Sequence, residues 1–109
     1  MNLTSEVKQD HLVITVEGRL DTTQSDSFEK QVGETLQDDH KKVVLDCSGL
    51  NYISSSGLRV FLILQKKMAA EGGALKICNL QPSIKEIFDM SGFSMIFSIY
   101  DDLDAALQG

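Results

Sequence analysis

Short β-branched runs alternating with longer segments of helical period constrain this chain most, because a strand, a helix and a further strand in succession close a core chiefly as a parallel crossover. The alternation follows two strand-like stretches. Residues 3–8 lead to a polar break at Gln9-Asp10, and in residues 11–17 the apolar Leu12, Ile14 and Val16 fall on one face by the period of two. These predict a hairpin. Beyond Gly18-Arg19-Leu20, the stretch Asp21-Thr22-Thr23 offers capping side chains, and Phe28, Val32, Thr35 and Leu36 recur at helical spacing, predicting an amphipathic helix to about Gln37. A polar turn at Asp38-Asp39-His40-Lys41 then precedes Lys42-Val43-Val44-Leu45-Asp46, an inner strand expected to end near Cys47.

The second half repeats the pattern. After a serine run and Gly57, residues Leu58, Phe61, Leu62, Met68 and Ala69 are spaced to line one side of a helix, which Gly72-Gly73 stops. Residues 74–78 read as a fourth strand, Pro82 opens a helix through about Met90, and Ser91-Gly92 closes it. Residues 97–100 form a weaker fifth strand, and Asp101 is expected to cap a short helix to about Leu107. The expected class is α/β: a small mixed β-sheet of four to five strands with helices packed against it. At 109 residues, with no internal repeat and a single proline, the chain is expected to form one domain over residues 1–109.

Several function classes lose support from composition and motif. The formal net charge is -6, whereas nucleic-acid binding draws on clustered Lys and Arg, so no direct nucleic-acid partner is expected. The start of the chain lacks a basic, apolar signal, and the longest apolar run, residues 60–64, is too short to span a bilayer; a cytoplasmic protein without membrane insertion is expected. Cys47 and Cys78 show neither disulfide-scaffold density nor CxxC spacing and read as reduced, buried thiols. Ser55 has Gly57 after it but Ile53 where a nucleophile elbow needs glycine, and neither His11 nor His40 is placed by sequence to act as its base. No phosphate loop, dinucleotide fingerprint or metal-ligand pattern occurs, so no enzyme activity, cofactor or metal is expected.

The informative stretch runs from Asp46 to Arg59: a strand leads through Ser48-Gly49-Leu50-Asn51-Tyr52-Ile53 into Ser54-Ser55-Ser56-Gly57 at the start of a helix. Helix N-termini carry unpaired N–H groups and partial positive charge, so serines there serve as caps and the site tolerates an added phosphate. Residue chemistry alone reaches an α/β domain with a polar helix cap. Arg59, one turn into the helix, is four residues from Ser55, the spacing that lets it pair with a phosphate; the plain alternative is a solvated arginine.

Gly18-Arg19-Leu20-Asp21, residues Val43 to Leu50, and residues Ile53 to Val60 resemble, in order and spacing, the successive signature segments of the STAS family of anti-sigma factor antagonists. The resemblance implies a small mixed sheet with helices against it, and a role in binding an anti-sigma factor that is also a serine protein kinase. It implies that phosphorylation switches the domain off and that a PPM-type phosphatase restores it. The acceptor maps onto Ser55, with Ser54 as second choice and Ser56 a more remote third. Asp21, Ser54, Ser56, Gly57 and Arg59 map onto the partner-binding surface. One departure is that many antagonists carry aspartate before the acceptor, where this chain has Ser54. The alternative reading is a STAS regulatory subunit of a membrane transporter or signalling assembly that is never phosphorylated.

Overall fold

In a computed structural model, which describes residues 1–36 and 41–109, five strands form one sheet in the order β1-β2-β3-β4-β5. Strand β1 (Asn2–Lys8) pairs antiparallel with β2 (His11–Leu20) through a two-residue turn. Gln9 and Asp10 in that turn have φ of 48° and 71°, the left-handed pair that defines the type I′ hairpin. Strands β2, β3 (Lys42–Ile53), β4 (Ala74–Cys78) and β5 (Ser98–Tyr100) are mutually parallel. Helices α1 (Ser25–Thr35), α2 (Ser55–Ala70) and α3 (Pro82–Met90) connect them, the last through a short turn at Phe93–Met95. Because each right-handed crossover steps to the next strand in the same direction, all three helices fall on one face of the sheet.

That face holds the larger core. Leu12, Ile14 and Val16 of β2, Val43 and Leu45 of β3, and Leu75 and Ile77 of β4 alternate toward the helices. Phe61 of α2 is the hub: it stacks on Phe28 of α1 at 5.6 Å and meets Phe88 of α3 edge-on at 5.8 Å. Each large apolar side chain so buried contributes ~1.5–3 kcal/mol. The other face carries a smaller cluster, in which Ala106 of α4 (Leu103–Gln108) covers Val13, Val44 and Cys78.

Several sequence expectations are corrected. Strand β3 does not end near Cys47 but continues to Ile53, and β2 passes Glu17 to reach Leu20. Two register shifts, between Thr15 and Glu17 and between Gly18 and Arg19, let β3 carry extra residues against β2, so its bulged second half reads as a loop in sequence. Helix α1 starts at Ser25, and Asp21 caps the turn before it. The expected helix end at Gln37 and most of the polar turn, residues 38–40, lie outside the described residues. On α2, Ala69 is exposed and Leu62 half-buried; Val60 and Leu64 take the core positions. The cap of α4 is Asp102, whose carboxylate accepts from Ala105 N–H at 2.8 Å, and not Asp101. Strand β5 begins at Ser98, one residue after the expected Phe97, which belongs to the core.

Candidate functional site

Parallel pairing of β2 and β3 brings Leu20 opposite Ile53, so both chains leave the sheet at the same end. The bond from Ser54 N–H to Leu20 C=O, 2.9 Å, ties the two exits together. Beyond it, the β2–α1 turn and the N-terminus of α2 lie against each other. Ser54 has extended backbone (φ -87°, ψ 170°) and is the helix cap, its Oγ accepting from Gly57 N–H at 3.1 Å. Ser55 and Ser56 are therefore the first two helical residues.

The three serines differ in what their hydroxyls do. Ser56 Oγ lies 2.9 Å from Ser54 Oγ and 2.9 Å from Ser25 Oγ, and Ser25 donates to the Asp21 carbonyl at 3.0 Å. Each hydroxyl has one proton to give. With Gly57 N–H feeding one end and the Asp21 carbonyl accepting at the other, the direction is set: Gly57 N–H to Ser54, Ser54 to Ser56, Ser56 to Ser25, Ser25 to Asp21 C=O. Ser55 stands outside this chain. It is exposed, and among the described residues its hydroxyl has no hydrogen-bond partner.

Asp21 sits at the same end, but its carboxylate is spent locally. Oδ1 accepts from Thr23 Oγ1 at 2.7 Å, Thr23 N–H at 3.1 Å and Gln24 N–H at 3.2 Å. The Thr23 hydroxyl, helped by these N–H groups and the Arg19 charge, holds the carboxyl below the ordinary aspartate value. Gly57 is buried, and a Cβ there would stand 2.8 Å from Leu20 Cγ and 2.9 Å from Ile53 Cγ1, so the first turn of α2 rests directly on the ends of β2 and β3. Arg59 is exposed and makes no ion pair among the described residues. It lines a cleft of about 290 Å³ between α1 and α2, with Asp26 and Glu29 on the α1 side and Ser25 and Ser56 at its end.

Sequence reasoning missed Ser25. It is 4% exposed and makes the one side-chain hydrogen bond from α1 to the α2 cap among the described residues, yet nothing local marks it, since its partner is 31 positions away. It also missed Tyr52, over whose ring the Arg19 guanidinium lies at 4.2 Å, beside the same strand ends. Cys47 and Cys78 are free and buried, and burial pushes the Cys78 thiol up to about 12 and Cys47 higher still. Among the described residues no group of His, Cys, Asp and Glu is arranged to hold a metal ion, and no helix is long and apolar enough to cross a membrane.

Residues 2–106 match the model of the STAS domain, and the chain belongs to that family. It is 33% identical over 105 residues to the anti-sigma F factor antagonist of Paenibacillus polymyxa, covering 94% of this chain and 90% of that protein. An anti-sigma factor antagonist from Mycobacterium paratuberculosis has the same fold, with a TM-score of 0.89 at 23% identity over 98% of this chain and 91% of the other. The phosphorylated form of the Bacillus cell fate determinant SpoIIAA superposes with a TM-score of 0.70 at 19% identity, covering 95% and 96%.

Proposed function

We propose that this chain is a cytoplasmic anti-sigma factor antagonist, which binds an anti-sigma factor doubling as a serine kinase while Ser55 is unmodified and releases it once Ser55 carries phosphate. A PPM-type phosphatase resets the switch. The observation that carries the reading is the division of labour among the serines: Ser54 and Ser56 are held in the hydroxyl chain, while Ser55 is exposed and free for transfer. The names of relatives sharing a third of the sequence support the partner class. A transporter subunit would need only the cap that Ser54 already supplies, so the free hydroxyl of Ser55 favours the switch.

A phosphate on Ser55 adds about -1.5 to -2 charges at the first position of α2, where the helix dipole offsets part of the charge, ~0.3–1 kcal/mol at an exposed site. The fold therefore tolerates it. Against a partner surface the same group must lose water or meet like charge, and a loss of ~2.7 kcal/mol is already about a hundredfold in affinity. Incubation with the kinase and ATP, followed by mass spectrometry, locates the phosphate, and titration calorimetry compares the two forms. The expected result is modification of Ser55 and at least that loss of affinity with an unchanged melting temperature. Equal affinities for both forms would remove the switch.

A further inference from the structure

Strand β1 ends the sheet, and all of its residues are exposed except the half-buried Leu3. Its free edge has a definite chemistry. The type I′ turn makes Lys8 and His11 a hydrogen-bonded pair, because the Lys8 carbonyl accepts from His11 N–H across it. The register then runs without a shift to Asn2↔Glu17, so Lys8, Glu6, Thr4 and Asn2 point their backbone groups at β2. By the same alternation Val7, Ser5 and Leu3 point theirs outward, with no strand paired to them among the described residues. An occupant of this edge must be an extended strand.

We infer that the occupant is β1 of a second copy of this chain, running antiparallel about a two-fold axis through Ser5. In that register Ser5 meets Ser5, and Leu3 meets Val7 of the second copy. These are the residues whose backbone groups are free, and each such pair exchanges two N–H···O bonds. The side chains agree. Val7, a β-branched residue left 66% exposed at the edge, gains Leu3 of the second copy as a cross-strand neighbour on the helix side of the sheet. On the other face Glu6 opposes Thr4 and Lys8 opposes Asn2, so no like charges meet head on. The two Glu6 side chains lie diagonally, each 3.6 Å from its own Lys8. Shifting the axis to Glu6 sets Glu6 directly against Glu6 and leaves Leu3 opposite the turn. The Ser5 register therefore satisfies backbone valence, apolar pairing and charge together, and it joins two sheets into one. Strand β2 separates this edge from β3, which feeds the Ser55 helix, so the assembly is distinct from the proposed switch.

Cysteine placed at position 5 tests both assembly and register. Across a hydrogen-bonded antiparallel pair the Cα atoms stand about 5.5 Å apart, within disulfide reach, whereas the two Thr4 residues are diagonal neighbours at about 7–8 Å, beyond it. Native Cys47 and Cys78 are buried and do not compete. Under mild oxidation Ser5→Cys is expected to form a covalent dimer in high yield and Thr4→Cys at least tenfold less. Sedimentation velocity of the unmodified chain over a concentration series is expected to show a species of twice the chain mass. Ser5→Pro removes only an outward N–H, so it is expected to abolish that species while keeping the native circular dichroism and the melting temperature that the parent shows at concentrations where it is monomeric. A monomer at every concentration, equal cross-linking at positions 4 and 5, or a dimer unaffected by Ser5→Pro in a folded protein would each overturn the inference.

Discussion

Replacing Gly57 by alanine probes whether the helix start needs to lie as close to the strand ends as it does. The new methyl would sit 2.8 Å from Leu20 Cγ, 2.9 Å from Ile53 Cγ1 and 3.0 Å from Leu20 Cδ2. Neither neighbour has room to yield, since Leu20 is 0% and Ile53 4% exposed, and the contact on Leu20 is at its branch point. Overpacking of this kind costs ~1–3 kcal/mol. Alanine's better helix propensity returns ~1 kcal/mol, so a net loss of up to about 2 kcal/mol is expected. For a domain near 100 residues each kcal/mol lowers Tm by about 4–8 °C. Calorimetric melts and urea titration measure this directly. The double variant Gly57→Ala with Leu20→Ala should lose less than the sum of its singles, by ~0.5–3 kcal/mol, because the truncated Leu20 removes most of the clash. A Gly57→Ala protein that melts at or above the parent, or strict additivity with Leu20→Ala, would refute the steric reasoning.

Ser54→Ala removes the side-chain cap of α2 and is expected to lose ~1 kcal/mol in urea titration, with the helix otherwise intact. Because the folded carboxyl of Asp21 titrates below the ordinary 3.8, its contribution to stability is present above that pH and is lost as pH falls through the folded value; carbon-detected NMR titration should place its midpoint below 3.8, and Asp21→Asn should flatten that part of the acid profile. With Cys78 pushed up to about 12 and Cys47 higher still, neither thiol should react with a thiol reagent at neutral pH until the protein unfolds, so labelling should track the urea transition.

Strand β4 and helix α3 could be read closely from sequence, because Gly72-Gly73 precedes the first and Pro82 and Ser91-Gly92 bracket the second. Strand β3 could not. Its second half carries Ser48, Gly49 and Asn51, residues that mark turns, and only pairing with β2 through two register shifts makes it a strand. Asp101 and Asp102 offer the same capping chemistry one position apart, so composition cannot choose between them; the bond to Ala105 N–H does. At the site, the cap was legible because a serine run before a helical pattern has a local meaning. The partner of Ser56 was not, because Ser25 reaches it only after β2 and β3 have paired and brought α1 and α2 to the same end.

That same pairing bears on the choice of Ser55 as acceptor in the proposed switch. A hydroxyl acceptor must present its oxygen to an incoming phosphoryl group and give up its proton. For Ser54 this means leaving Gly57 N–H without its cap and Ser56 without its donor; for Ser56 it means vacating a half-buried position between two other hydroxyls. Each lost bond costs about 0.5–1.5 kcal/mol, and the polar groups left behind add to it. Ser55 faces no such cost, since it is exposed at the positive end of α2 and its hydroxyl has no hydrogen-bond partner among the described residues. Ser54 precedes the proposed acceptor, and its hydroxyl both caps Gly57 N–H and donates to Ser56; a carboxylate at that position would still cap Gly57 N–H but could only accept from Ser56. With a carboxylate there, Ser56 would give its proton to position 54 and take one from Ser25, which would then leave the Asp21 carbonyl, so serine at 54 sets the direction of the hydroxyl chain and not its existence.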